Sequence, residues 1–423
     1  MADIDLNDNP DEQEVVTDTD QIKEIATEQP IKDKTESFDL ENNSALEIKK
    51  FHTSIKEKIT NFFNNPKKRL IFIISLSVII VLLFATGIYF LTHEKSPAPI
   101  KSISEENLNT NITTTPKDVL YNAPLDGVQV NEELFARHPL GVMIENHPDA
   151  RPQSGLDKAS IIYEAMVEGG ITRFMAVYGT YEADKVGPVR SARPYYVDWI
   201  HGYAGYYAHV GGSTQALSKI TAENIYDLNQ FAFPAAYWRE QNGNVALEHT
   251  MYASTPKLRV SAADNQYPKI NSFKVYSFKD EPTEAEKATI PEEQKISINY
   301  GNPTYNVYFK YDKSTNSYKR FEAQAPHIDR VTKVQLSPKN VIAMTVEKKS
   351  IEVKAGTDGW QMTTVGTNKA TFFMDGKVTT GTWKKDSAAD REIFYDSAGK
   401  EIQFNRGQTW ICVISPDVTP IVE

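Results

Sequence analysis

The stretch that decides the fold of this 423-residue chain is IIYEAMVEGGITRFMAVY, residues Ile161–Tyr178. Apolar side chains alternate along it on both sides of Gly169-Gly170, as in two β-strands joined by a tight turn. Two consecutive glycines adopt positive φ easily, which a two-residue hairpin turn requires. We therefore predict an antiparallel hairpin in which Val167 pairs with Thr172.

The faces of this hairpin follow from its predicted register, in which Glu164 pairs with Met175. Glu164, Glu168 and Arg173 then share a polar face, and Arg173 lies diagonal to both glutamates, about 7–8 Å away. This Glu-Arg-Glu cluster is either one wall of a polar site or a salt-bridge group that only holds the register. Four residues of strand separate the glutamates by about 13 Å, which is too far for a paired-carboxylate glycosidase. One glutamate could still act alone as an acid.

Downstream of the hairpin, GPVRSAR (187–193) leads into a helix predicted from Tyr195 to Tyr203. Pro194 suits the first helical turn because its missing N–H is not needed there. Arginines beside free backbone N–H groups predict a site for a carboxylate or phosphate. The candidate binding residues in this segment are Arg190, Ser191 and Arg193. In the alternative interpretation, the arginines form structural ion pairs with nearby carboxylates: Asp198, Glu164 and Glu168.

A second strand, glycine turn and helix start follow at HVGGST, residues 209–214. We predict a strand from Tyr206 to Val210 and a helix from Ser213 to about Leu228, with Ser213 as its N-cap. The turn lacks the lysine and the spacing of a nucleotide-binding P-loop. The candidate ligand-binding residues here are His209, Gly211 and Gly212, joined by His249 further along the chain.

Catalytic and metal-binding motifs have little support in the sequence. Ser191 or Ser213 could act as a nucleophile with His209 or His249 as base, but no GxSxG elbow accompanies them. The eight histidines include no HExxH motif and no short paired spacing, so we predict no metal site and no cofactor. The single cysteine, Cys412, alternates with apolar residues as a buried strand residue does.

The predicted secondary structure changes near residue 280, from mixed helices and strands to short strands and turns. We predict an α/β domain at residues 121–279 and a mainly antiparallel β domain at residues 280–423. The acidic, proline-containing stretch from Asp280 to Glu293 is the predicted junction. Asp375-Gly376 is a hairpin signal in the second domain.

The N-terminal region predicts a membrane anchor. The run LIFIISLSVIIVLLFATGIYFL (70–91) carries no charge and, as a helix, is about 33 Å long, enough to cross a hydrocarbon core of about 30 Å. The cluster Lys67-Lys68-Arg69 places the N-terminus in the cytoplasm. Residues 1–69 then form a cytoplasmic acidic disordered tail followed by a basic amphipathic helix, and residues 92–120 form a stalk outside the membrane.

Net charge excludes one class of partner. Residues 1–40 contain 13 of the 56 acidic residues and 3 of the 46 basic ones, which leaves 43 of each in the rest of the chain. A globular part without net charge lacks the general basic excess that binds phosphate backbones, so we predict no nucleic-acid partner.

Four strings together resemble a known family. They are ENHPDARPQSGLDKASIIYEAMVEGGITRF (145–174), GPVRSARPYYVD (187–198), HVGG (209–212) and GKEIQFNRGQTWICVI (399–414). The sequence resembles the YerB-like bacterial lipoprotein family over residues 124–415. The resemblance implies a two-domain fold and an address in the cell envelope, but no reaction, because the family is a domain of unknown function. Two differences are the absence of a cysteine for lipidation near the N-terminus and Thr250, where an Asn is expected after His249.

These observations lead to one leading hypothesis about function and two alternatives. The protein is predicted to be a single-pass membrane protein whose extracytoplasmic part binds an anionic wall component, a glycan, peptide or polymer, through an Arg/Glu cleft that includes Arg173. The first alternative is a cell-wall glycan-cleaving enzyme with Glu164 or Glu168 as acid. The second is a protein–protein scaffold that recruits its partner through the cytoplasmic tail.

Overall fold

The computed structural model describes residues 119–423 except 242, 355 and 356. These residues belong to one compact unit that extends over residues 111–423. The predicted acidic tail, amphipathic helix, transmembrane helix and nearly all of the predicted stalk lie outside the described residues. Among the residues described, none of the helices combines the length and apolar character needed to cross a membrane.

The part of the described chain before residue 280 alternates strands and helices. Its helices are α1 (Glu132–Ala136), α2 (Pro194–His201), α3 (Thr214–Ala222) and α4 (Thr255–Asp264). Its strands are β1 (Tyr121–Asn122), β2 (Gln129–Val130), β3 (Leu140–Glu145), β4 (Ile161–Met166), β5 (Thr172–Tyr178), β6 (Tyr206–His209), β7 (Tyr226–Asn229), β8 (Tyr237–Arg239), β9 (Met251–Ala253) and β10 (Ser277–Lys279).

The part after residue 280 is mostly strand and includes one short described helix, α5 (Glu284–Ala288). Its strands are β11 (Lys295–Ile298), β12 (Val307–Asp312), β13 (Ser317–Glu322), β14 (Ala325–Pro326), β15 (Asn340–Thr345), β16 (Lys348–Lys354), β17 (Thr357–Met362), β18 (Gly366–Met374), β19 (Lys377–Lys385), β20 (Ile393–Asp396), β21 (Gln403–Asn405), β22 (Thr409–Ile414) and β23 (Ile421–Val422).

Strands from both parts form one mixed ten-stranded sheet with the order β20-β19-β18-β15-β22-β4-β5-β3-β6-β7. The two parts meet where β22 runs parallel to β4, with Thr409 opposite Ile161 and Cys412 opposite Glu164. A second, antiparallel sheet has the order β14-β13-β12-β11-β23. The described chain is therefore mixed α/β with much sheet, and the position of the domain boundary near residue 280 stays a prediction.

Both faces of the large sheet are covered by apolar layers. On one face, Phe309 of the five-stranded sheet lies with its ring centroid 6.4 Å from that of Trp410. On the other face, Tyr163 of β4 stacks on Trp199 of α2 with ring centroids 5.2 Å apart. Cys412 is fully buried, as predicted, and burial raises the pKa of its thiol. The two layers explain why β4 and β5 are almost entirely buried.

The β4–β5 hairpin is one residue out of the predicted register. Met166 pairs with Thr172, so the predicted pairing of Val167 with Thr172 is wrong. The loop between the two strands contains five residues, 167–171. Across it the Val167 N–H donates to the Ile171 carbonyl oxygen at 2.7 Å, and the Ile171 N–H donates to the Glu168 carbonyl oxygen at 3.4 Å, which closes a 3₁₀ turn. Both glycines inside the loop have positive φ, as predicted, but the two-residue loop is wrong.

This shift moves Glu164 to the opposite face from Arg173. Glu164 is opposite Phe174, and Arg173 is opposite Ala165. Because side chains alternate along a strand, a slip of one residue exchanges the faces. The predicted Glu-Arg-Glu cluster therefore does not form. Of its two glutamates only Glu168 remains near Arg173, and Glu145 of β3 lies directly opposite Arg173 in the sheet.

Three local signals are confirmed in the structure. Pro194 occupies the first turn of α2. Ser213 caps α3 by accepting a hydrogen bond from the Ala216 N–H, although α3 ends at Ala222 because the chain re-enters the sheet as β7. Asp375 and Gly376, both at positive φ, connect β18 to β19 as a tight hairpin turn.

Candidate functional site

A cleft of about 640 Å³ opens beside the β4–β5 loop. Its walls come from that loop, the carboxyl end of β3, the segment before α2 and the first residues of α3. The parallel strands β3 and β6 both end at this edge of the sheet, where loops of α/β folds commonly form binding sites. The charged residues of the lining are Glu145, Glu168, Arg173, Arg190, Arg193 and Glu248.

Two of the three arginines in the cleft are neutralised by glutamates. Arg193 donates to both carboxylate oxygens of Glu168, with Nη2 2.7 Å from Oε2. Burial opposes ionisation of Glu168, but the hydrogen bonds and the charge of Arg193 prevail and hold its pKa below the usual value. Arg190 forms ion pairs with Glu145, which is buried, and with the exposed Glu248 at 3.4 Å. The pair of Arg193 with Glu168 is one that the structural interpretation named, whereas the two partners of Arg190 are glutamates that it did not name.

Arg173 differs from both of these arginines. It is 5% exposed, and its Nη1 donates to the carbonyl oxygen of Ser191 at 2.9 Å. Its Nε has no hydrogen-bond partner, and among the described residues no carboxylate forms an ion pair with it. Burial lowers the pKa of Arg173, and the charges of Arg193 and Arg190 lower it further, whereas the nearby carboxylates of Glu145 and Glu168 oppose the shift without forming an ion pair with it. The cleft therefore contains a buried cation without its own counter-ion, an arrangement that an anionic ligand would stabilise.

The first turn of α3 lies beside these arginines. Gly212, Ser213 and Thr214 line the cleft. The first backbone N–H groups of an α-helix have no partner within the helix, and the helix dipole favours anions at this end. The nine-residue length of α3 is enough for a developed dipole. Both features add to the preference of this wall for negative charge.

His209 and Gly211 stand behind the cleft instead of lining it. His209 is fully buried, with Nδ1 2.7 Å from the Gly211 carbonyl oxygen and Nε2 2.9 Å from Oδ1 of Asp227. The Gly211 N–H donates to Oδ1 of Asn229 at 3.2 Å. These contacts fix the turn before α3, whose first residues line the cleft. His209 therefore supports this wall of the cleft without lining it.

Two stacked histidines form the far wall of the cleft. The rings of His147 and His249 are 4.7 Å apart at an interplanar angle of 13°. Nδ1 of the buried His249 lies 3.4 Å from Oε2 of Glu145. Thr250 donates through Oγ1 to the Leu247 carbonyl oxygen at 2.7 Å and does not line the cleft.

Glu164 lies outside the cleft and is fully buried on the opposite face of the sheet. Arg320 Nη2 donates to both of its oxygens, at 3.0 and 2.9 Å, and Trp410 Nε1 donates to Oε2 at 3.0 Å. Burial raises the pKa of Glu164, and the charge of Arg320 only partly offsets this effect. The predicted grouping of Glu164 with Glu168 and Arg173 is therefore wrong. Glu164 instead joins the two parts of the chain through Arg320.

Comparisons with known proteins identify the family. Two models, described as the N-terminal and C-terminal domains of a protein of unknown function, DUF3048, match residues 125–268 and 296–411. The protein named "Putative lipoprotein YerB" of Bacillus subtilis (strain 168) is 30% identical over 299 residues, which cover 70% of this chain and 86% of that protein. The chain belongs to the DUF3048 family. The crystal structure of YerB from Bacillus subtilis matches with a TM-score of 0.62 at 28% identity, covering 71% of this chain and 99% of the other.

The predicted resemblance to YerB is thus confirmed, and three of the four strings behind it meet at the cleft. Residues 145–174 supply Glu145, His147, Glu168 and Arg173, residues 187–198 supply the arginine segment, and residues 209–212 end at the turn before α3. In this DUF3048 protein, three of the four segments that carry the family resemblance line one cleft.

Sequence reasoning missed several residues of this site. The charged and aromatic ones are Glu145, His147 and Glu248. A signal for the first two was present, because ENH directly follows the buried run of β3 and polar residues at the end of a buried strand commonly reach a binding edge. Glu248 gave no comparable signal, since it belongs to a short 3₁₀ turn before β9, where it lines the cleft beside Arg190 and His249.

Proposed function

We propose that this protein acts outside the cytoplasm as a membrane-anchored envelope protein that binds an anionic wall component in the cleft. The ligand class is a glycan, peptide or polymer that carries a carboxylate or phosphate. The observation that carries the proposal is Arg173, a buried cation that lines the cleft beside the start of α3 and has no ion pair with any carboxylate in the described part of the chain. An incoming anion would supply the missing partner through charge-assisted hydrogen bonds.

Two observations support the proposed location in the cell envelope. The uncharged run at residues 70–91, with Lys67-Lys68-Arg69 before it, favours a single span with the N-terminus in the cytoplasm. The name of the relative YerB calls it a lipoprotein, which agrees with attachment at a membrane. Protease added to intact protoplasts should remove the part after about residue 95 and leave a small membrane-bound fragment, and protection of the large part would contradict this topology.

The glycan-cleaving alternative has weaker support from the geometry. Glu164 is buried behind the sheet, and Glu168 is held ionised by Arg193, whereas a general acid needs a raised pKa and access to the leaving group. A scaffold that uses the tail needs no cleft at all. Anion binding uses the features that this cleft has.

Retention of defined wall fragments by the purified full-length protein tests the proposal. One arm offers muropeptides, whose anion is a carboxylate, and the other offers fragments of a phosphate-containing wall polymer. Retention of either class should fall at least about tenfold in Arg173→Met, since a hydrogen bond to a charged group contributes about 1.5–3 kcal/mol.

The matched control is Arg406→Met, because Arg406 pairs with Asp280 and does not line the cleft. It should retain fragments like the unaltered protein. Raised salt should weaken retention, because counter-ions screen the attraction. Equal retention by Arg173→Met, or retention of neither fragment class, would contradict the proposed function.

A further inference from the structure

Four potential metal ligands converge at the histidine end of the cleft. One ligand atom from each of His147, Asp149 and His249 lies within 4.8 Å of the other two. Oε2 of Glu145 lies 3.4 Å from Nδ1 of His249, and the same oxygen is ion-paired with Arg190. Two of the four residues, Glu145 and His249, are buried and come from a strand end and a 3₁₀ turn, so the backbone holds them in place.

The environment of His249 indicates a missing ligand. His249 is 5% exposed and lines the cleft, yet its Nδ1 makes no hydrogen bond. A buried polar atom without a partner is costly, and such an atom in a native structure calls for a ligand or ion. An imidazole nitrogen that faces a carboxylate oxygen is a common half of a transition-metal site.

The local charge fits a divalent cation. The carboxylates around the histidines belong to Glu145, Asp149 and Glu248, and Arg190 pairs with two of them. Three negative charges and one positive charge leave a net charge of about −2 at this end of the cleft, which a divalent cation would balance. At the opposite end Glu168 pairs with Arg193, and Arg173 forms no ion pair within the described residues, although Glu145 lies across the sheet from it.

We infer that this end of the cleft is a site for a divalent transition-metal cation, with His147, Asp149, His249 and Glu145 as its ligands. Imidazole nitrogen with carboxylate oxygen suits Zn²⁺ and its neighbours, whereas Mg²⁺ and Ca²⁺ prefer oxygen ligands alone. The site gives the protein a second binding activity besides that for an anion. A bound cation would also offer an anionic ligand a second point of attachment, opposite Arg173.

Binding requires two side chains to move, because Arg190 must release Oε2 of Glu145 and the ring of His147 must turn. Ligand atoms on one Zn²⁺ lie roughly 3.3 Å apart, since the bonds are about 2.0–2.2 Å long. Two stacked rings cannot both aim a nitrogen at the same ion, so the ring of His147 must turn. Its side chain is 36% exposed and its Nδ1 accepts only the weak 3.3 Å hydrogen bond of the Asp149 N–H, so rotation breaks little.

Titration of the full-length, chelator-treated protein with the metal alone tests this inference without any wall ligand. Competition with a chromophoric chelator should show that the protein binds Zn²⁺ more tightly than Mg²⁺. His249→Ala should lose one equivalent of tight Zn²⁺ or bind it at least about tenfold more weakly. The control is His201→Ala, because His201 also contacts a carboxylate, Glu223 at 2.9 Å, but lies outside the cleft.

Asp149→Asn and His147→Ala give the same test at positions that solvent reaches, so they decide the matter if His249→Ala fails to fold. Each should weaken Zn²⁺ binding while the metal-free protein melts like the unaltered one. Equal Zn²⁺ binding by these variants, or an equal loss in His201→Ala, would overturn the metal site. The anion proposal is tested by Arg173→Met on wall fragments, so either can fail alone.

Discussion

Replacing Arg173 with Met tests whether the cleft contains a buried cation that lacks a counter-ion. Methionine keeps most of the apolar volume and removes the charge. The substitution removes the cost of burying the guanidinium but also the 2.9 Å hydrogen bond to the Ser191 carbonyl, which as a charged bond contributes about 1.5–3 kcal/mol. Because burial of an unpaired charge costs several kcal/mol, we expect the free energy of unfolding to stay within about 1 kcal/mol or to rise.

Arg320→Met is the matched control with the opposite expectation. Arg320 is fully buried and contacts both oxygens of Glu164, so its loss leaves a buried carboxylate without its partner. Removing one member of a buried ion pair costs about 3–5 kcal/mol. At about 2 °C per kcal/mol for a domain of this size, its melting temperature should fall by roughly 6–10 °C.

Thermal unfolding of the two variants, with and without added phosphate, measures both effects. Phosphate should raise the melting temperature of the unaltered protein and of Arg320→Met, but not that of Arg173→Met, since a ligand stabilises only the state that binds it. If Arg173→Met were as destabilised as Arg320→Met, Arg173 would be a paired structural arginine. The case for an anion site would then fail.

Three further predictions concern stability. The stability that the Glu168–Arg193 pair gives the fold is present above a pH of about 4.3 and is lost as the pH falls through the lower pKa of Glu168 in the folded state. The decrease in the free energy of unfolding caused by Glu168→Gln at pH 6 should therefore be smaller at pH 3. Burial lowers the pKa of His138 to about 4, so between pH 4 and 6.5 the unfolded chain binds a proton that the folded chain does not, and acidification destabilises the fold. His138→Phe should remove up to about 3 kcal/mol of this loss of stability. A Cβ at Gly381 would lie 1.9 Å from the Tyr395 carbonyl oxygen, so Gly381→Ala should lower the free energy of unfolding by about 3 kcal/mol or more.

Urea unfolding across pH measures the first two effects, and His201→Phe is the control for His138→Phe, because His201 is partly exposed. A pH profile that His138→Phe leaves unchanged would contradict the assigned burial effect. For the glycine, Gly399→Ala is the comparison, since a Cβ there would meet open space and only its positive φ of 78° is strained. An equal, small cost at both glycines would mean that β19 and β20 are not paired as described.

Much of the local structure could be read from the sequence. Pro194 at a helix start, Ser213 as an N-cap and Asp375-Gly376 as a hairpin turn each act through their own backbone or that of near neighbours. The family, too, was recognisable from short strings. The sequence also predicted that Arg173 and the arginine segment line one cleft. In the structure Arg173, Arg190 and Arg193 do line the same cleft, although the predicted hairpin register was wrong.

The pairing of the histidines was beyond sequence reasoning. His147 follows β3, whereas His249 belongs to a 3₁₀ turn about a hundred residues later, before β9. Neither has a partner at a short, motif-like spacing. Only the return of the chain to the same sheet edge brings the two rings to 4.7 Å.

By itself, the sequence determined that Ile161–Tyr178 forms a hairpin and that its loop needs glycines. Only the tertiary structure decided the register, and with it the partner of Glu164. Alternation indicates a face only when one side of a strand meets water and the other meets the core. Five residues of β4 and all seven of β5 are buried, because one layer contains α2 and the other the five-stranded sheet. Because both faces are buried, the sequence shows no contrast between a core face and a solvent face that would exclude a shift of one residue, and packing against both layers selects between the two registers.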